Sequence, residues 1–136
     1  MNKKEVLNLF HRSLLDDTKS ATELLALLVS TRLYCIEMQS ENLQLANIEI
    51  IKHVEHLEKN HAKRLKIIDA FKFPNDITAF LNHLPISIRT EVTLRFNELI
   101  SILKYCEEKN QGNGNIFSQQ HEMVANMSKA SLTIRI

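Results

Sequence analysis

Glycine and proline are nearly missing: there are two of each in 136 residues, and none of either between Met1 and Phe73. Sheets joined by tight turns need far more of both. So do the glycine-rich loops that cradle phosphates in nucleotide enzymes. Tryptophan is absent and aromatics make up only 6% of the chain, although 44% is hydrophobic. Cysteine is limited to Cys35 and Cys106, too few for a disulfide scaffold. Both fall on apolar helical faces, which points to two buried thiols. Excess charge is also lacking. The formal net charge is +1, without the basic surplus of most nucleic-acid binders, so no nucleic acid is expected. The longest apolar run, Leu24–Val29, is far short of the ~20 residues that span a bilayer. Asn2, Lys3, Lys4 and Glu5 are followed by no signal-peptide core. A cytoplasmic protein without membrane insertion is the expectation.

What remains is helical periodicity. Leu7, Leu14, Ala21, Leu28 and Cys35 hold one heptad position, and Phe10, Asp17, Leu24, Thr31 and Met38 hold another. That pattern predicts a long helix in a coiled-coil-like bundle, with Asp17 and Thr31 loosening the seam. Four polar residues, Gln39–Asn42, mark a turn, with Ser40 or Asn42 as the cap of the next helix. Without a break there, the helix would run to roughly 100 Å at ~1.5 Å per residue. The second helix carries Leu43, Ala46, Ile50, Val54, Leu57, His61, Ile68 and Phe71, widened by Leu45, Ile48 and Ile51. Pro74 ends it. Asn75 and Asp76 cap a short helix bearing Ile77, Phe80, Leu81 and Leu84, which Pro85 stops. A third long helix starts near Ile86, with Glu91 and Arg95 as an i,i+4 pair. The expected fold is all-α: long antiparallel helices in a coiled-coil-like three-helix bundle, with a short extra helix between helices two and three. The chain reads as one domain, its core bundle spanning about 4–110.

The third long helix organises the rest. Its seam reads Val92, Phe96, Leu99, Leu103, Cys106, Asn110, Asn113, Phe117, Gln120, Val124 and Met127. The first half predicts core. Asn110 and Asn113, with Gly112 and Gly114, admit two readings. Seam asparagines fix register and partner number, whereas Asn and Gly are also ordinary helix C-termini. Beyond them Ile116, Phe117, Gln120, Met123, Val124, Met127 and Ala130 share one broad face. Methionine-rich faces adapt to varied ligands, and ordinary core packing is the competing reading. Length favours binding, because a helix from Ile86 to Ser128 would outrun the first two by about two turns at ~3.6 residues per turn.

Catalytic signals are few. Neither Cys nor any Ser sits in a glycine-rich elbow, so no enzyme and no cofactor are expected. Glu58 and His61 form the single Glu-x-x-His, whereas a di-iron bundle needs two such pairs and two more carboxylates. His61 is expected in a polar seam position, with His53 and His56 in solvent. Lys52, Lys59, Lys63, Arg64 and Lys66 read as a solvated basic face.

The stretch Cys106-Glu107-Glu108-Lys109-Asn110-Gln111-Gly112-Asn113-Gly114-Asn115-Ile116 resembles the Asn-x-x-Asn-Gly-x-apolar motif of the FlgN family of flagellar export chaperones. Glu41, Leu45, Ile48 and Lys52 resemble the pattern that opens that family's second helix. The resemblance implies a cytoplasmic helical chaperone of flagellar type III secretion. Such a chaperone binds the C-terminal segments of hook–filament junction proteins (FlgK-like and FlgL-like), prevents premature assembly and delivers them to the export gate. By position, the client-binding helix would be Ile116–Ala130, and Asn110, Asn113 and Gly114 the motif or hinge. Many members contact the gate through a tyrosine in a later polar tail, whereas the tyrosines here are Tyr34 and Tyr105. The alternative reading is a self-associating structural coiled coil using the same face.

Overall fold

The computed structural model describes residues 1–112. They form four helices: α1 (Lys3–Ile36), α2 (Ser40–Ala70), the short α3 (Ile77–Asn82) and α4 (Ile86–Gly112). No strand occurs among the described residues, and the all-α bundle is the fold.

With almost no glycine, both hairpin turns close on residues that disfavour the left-handed region. Met38 sits at φ 57° and Lys72 at φ 68°. At the end of α1, the Gln39 amide donates to Tyr34 O (2.9 Å) and the Met38 amide to Cys35 O (3.3 Å). At the end of α2, the Phe73 amide donates to Ile68 O (3.1 Å) and the Lys72 amide to Asp69 O (2.8 Å). These are Schellman closures, normally built on glycine. A non-glycine residue in this region costs about 1–2 kcal/mol, which the carbonyl bonds and the packing of the helices offset. The expected cap at Ser40 or Asn42 is not used: Gln39 holds the N-cap position, without a side-chain capping bond. At α3 the capping residue is Asp76, whose Oδ1 accepts from the Ala79 amide at 3.0 Å. Asn75 instead supplies a third left-handed turn residue, at φ 58°.

Contacts fix the directions of the long helices. Ser20 meets His53 and Ser13 meets Arg64, so α1 and α2 are antiparallel. His11 meets Glu91 and Ala21 meets Cys106, so α1 and α4 run parallel. The bundle is therefore up-down-up. The expected antiparallel arrangement holds for consecutive long helices and not for the α1–α4 pair. α1 packs extensively on both partners, while α2 and α4 make few close backbone approaches.

The core joins Phe10, Leu14, Leu24 and Leu28 of α1, Ile50, Val54, Leu57 and Ile68 of α2, and Val92, Phe96, Leu99, Ile100 and Leu103 of α4. α3 plugs one end. Phe80 lies 5.0 Å from Phe10, 5.6 Å from Phe71 and 6.4 Å from Phe73, centroid to centroid, in tilted and edge-on geometry. Leu45 and Ile48 do not widen the α2 core stripe; both are exposed, as is Met38.

Candidate binding site at the end of the third long helix

The seam of α4 is buried wherever it is described: Val92, Phe96, Leu99, Leu103, Cys106 and Asn110 all lie in the interior. The helix is described as far as Gly112. Asn110 is 1% exposed, and neither its Oδ1 nor its Nδ2 has a hydrogen-bond partner among the described residues. An unpaired buried carboxamide costs roughly 1–3 kcal/mol. Asn113, Gly114, Ile116, Phe117, Gln120, Met123, Val124, Met127 and Ala130 lie outside the described residues.

The two thiols differ. Cys106 is buried, its Sγ donates to Ala21 O at 3.5 Å, and burial pushes its pKa up to about 12. It is protonated at neutral pH and unsuited to act as a nucleophile. Cys35 is only half-buried, which corrects the reading of two interior thiols.

A second polar site sits between α1 and α2. Asp17 and Arg64, both buried, face each other with Nη1 2.6 Å from Oδ2. Arg64 also donates to Ser13 Oγ (3.1 Å) and Ser13 O (3.4 Å). Asn60 Nδ2 donates to Asp17 Oδ1 (2.7 Å) and Asp16 Oδ2 (3.3 Å), and His56 Nε2 lies 2.8 Å from Asp16 Oδ2. One turn along, His53 Nδ1 bonds Ser20 Oγ at 2.8 Å, with its Nε2 3.5 Å from Glu23. Burial pushes the Asp17 carboxyl above its ordinary range; Arg64, Asn60 and His56 pull the other way. His61 is driven down to about 4, first by burial and then by the nearby Arg64 charge, so it is neutral at pH 7.

This belt corrects three expectations. Asp17 does not loosen the seam but anchors it. Arg64 belongs to the interior and not to a solvated basic face. His53 is half-buried and bonded to Ser20 of α1, whereas His56 is exposed as expected, beside Asp16. The signal was available: Leu57, His61, Arg64 and Ile68 follow the 4-3-4 seam spacing, and a charged seam residue on each of two neighbouring helices suggests a pair.

One ligand atom from each of Asp16, Asp17 and His56 falls within 4.8 Å of the others. The donor set does not suit a cation. Arg64 and Asn60 already direct N–H groups at the Asp17 oxygens, and Asn60 also bonds Asp16, so a metal would meet positive charge and occupied lone pairs. The Ser20–His53–Glu23 chain likewise lacks the setting of a nucleophile. Ser20 is buried in the middle of α1, where the neighbouring backbone amides are taken up by the helix and do not form an oxyanion hole.

Comparisons with protein-family models, curated protein sequences and solved structures give no match to the chain. Among the described residues, no helix is long and apolar enough to cross a membrane.

Proposed function

We propose that the protein is an export chaperone of the FlgN type. It holds the C-terminal segments of hook-associated junction proteins (FlgK-like and FlgL-like) unassembled and presents them for flagellar type III export. The observation that carries this reading is the unbroken buried seam of α4. It runs from Val92 to Asn110 and is still helical at Gly112, where the family-like motif lies. In the sequence, Ile116–Ala130 keeps the spacing of that seam. An amphipathic segment that is unfolded before export can lie against such a face as a helix, gaining its order on binding. No nucleotide or metal chemistry is required.

A second reading has its own support. Val29, Leu33 and Ile36 are exposed at i, i+4 and i+7 on α1, one apolar stripe that a second copy of the chain would cover. Size-exclusion chromatography with and without a junction-protein C-terminal peptide separates the two. The chaperone reading predicts co-elution with the peptide. An oligomer that is indifferent to peptide supports self-association and overturns the export role.

A further inference from the structure

Two antiparallel helices present a groove on each side, and α4 lies on one side of the α1–α2 pair. His11 reaches Glu91 of α4. Leu9, two residues earlier, sits on nearly the opposite side of the helix at ~3.6 residues per turn, and it is 44% exposed. In the antiparallel register set by Ser13 against Arg64, Leu9 is level with Ile67–Ile68 and Val6 with Phe71. Val6, Ile67 and Phe71 are half-buried and line this open side. Two hollows follow one another along it, one of about 440 Å³ between Val6 and Phe71 and one of about 400 Å³ between Leu9 and Ile67. The cluster of Asp16, Asn60 and His56 closes the far end.

The edges of this groove carry one sign of charge. Lys3 and Arg12 line it from α1, Lys63 from α2 and Lys72 from the turn after α2, and all four are exposed. None of the four is paired with a carboxylate among the described residues. Arg64 beneath them is committed to Asp17. Of the lining residues only Asp16 is acidic, and Asn60 and His56 already engage it. A chain of formal net charge +1 therefore gathers four uncommitted cations around one apolar channel. We propose that this channel docks an amphipathic helix of a partner protein, one whose apolar stripe is flanked by Asp and Glu. From Lys3 to Asp16 the channel runs about 20 Å at ~1.5 Å per residue, the span of a helix of roughly 13 residues. Leu, Ile or Met at helical spacing on the guest fit over Val6, Leu9, Ile67 and Phe71, as a helix laid in a groove. Its carboxylates meet Lys3, Arg12, Lys63 and Lys72, which select the sign of the partner. A floor recessed between two helices suits a helix and not a flat lipid surface. The channel uses none of the residues that the export reading assigns to a client, so the two stand or fall separately.

The test titrates the full chain into a fluorescein-labelled helical peptide of about 14 residues, with leucine along one face and glutamate on both flanks, read by anisotropy. A second peptide carries lysine in place of every glutamate. The wild type should bind the glutamate peptide and not the lysine peptide, and added salt should weaken the binding. Arg12→Glu with Lys63→Glu changes two exposed side chains. It should lower affinity for the glutamate peptide by roughly tenfold or more, leave Tm within about 2 °C and transfer binding to the lysine peptide. Failure of the wild type to bind the glutamate peptide overturns the proposal. Equal binding of both peptides, or an unchanged affinity after the charge reversal, does the same. Binding of phosphatidylglycerol vesicles without peptide binding, or a dimer of this chain that the charge reversal dissociates, also overturns it, because the groove then has another occupant.

Discussion

Replacing Arg64 with Met would test the polar belt directly. Met keeps most of the aliphatic stem and removes the guanidinium. Asp17 is 0% exposed and would lose the cation 2.6 Å away, and Ser13 would lose its donor. A buried carboxylate without its partner must stay charged in the interior or take up a proton, and breaking such a pair typically costs 3–5 kcal/mol, here roughly 10–15 °C in Tm. Replacing both residues, Asp17→Leu with Arg64→Met, removes the uncompensated charge. The double variant should recover most of the loss, because buried pairs exchanged for apolar residues are often neutral or better. The pH profile supplies the sign. The Asp17 carboxyl has a folded pKa above its unfolded value, so its contribution to stability is complete below the unfolded pKa and is lost as pH rises through the folded one. Without Arg64 that pKa moves higher still, so the deficit of Arg64→Met should be smaller at pH 4 than at pH 7. Circular dichroism melts with urea titrations at both pH values measure this. A deficit under about 1 kcal/mol, or a double variant as unstable as the two single losses added together, would refute the pairing argument.

The remaining predictions concern single residues. His61, with its pKa down at about 4 against 6.5 unfolded, disfavours folding as pH drops: the unfolded chain takes up a proton that the folded one refuses. The wild type should lose up to ~3 kcal/mol between pH 6.5 and 4 relative to His61→Gln, read from urea titrations of the two proteins; parallel pH curves would count against it. Met38→Gly should stabilise the protein by about 1 kcal/mol, because the side chain is exposed and the backbone is left-handed, and a melt that falls instead would contradict the strain argument. A thiol reagent should titrate Cys35 alone in the native protein and Cys106 as well in urea; fast native labelling of both would show that Cys106 is not sealed.

Much of the architecture was readable from spacing. The α4 seam from Val92 to Asn110, the Asp76-capped helix between two prolines, and the turn after the first long helix all came from periodicity and punctuation, which act locally. The belt was harder because its logic is pairwise. Asp17 alone looks like a flaw in a heptad, and Arg64 alone looks like one more surface cation. Only the antiparallel register of α1 on α2 brings them together. The turns were hidden for a related reason: a glycine-poor chain uses Met38, Lys72 and Asn75 in left-handed geometry, which no composition rule selects. The parallel alignment of α1 with α4 follows from the short α3 connection, yet its offset depends on side-chain contacts that a single helix pattern does not contain.

The most direct test is a fluorescence-anisotropy titration of a labelled junction-protein C-terminal peptide with the wild type and with Val124→Asp, Met127→Asp. Saturable one-to-one binding by the wild type, absent in a variant that melts at the same temperature, is the expected result. Equal binding by both proteins, or by neither, would contradict the claim that this strip receives an export client.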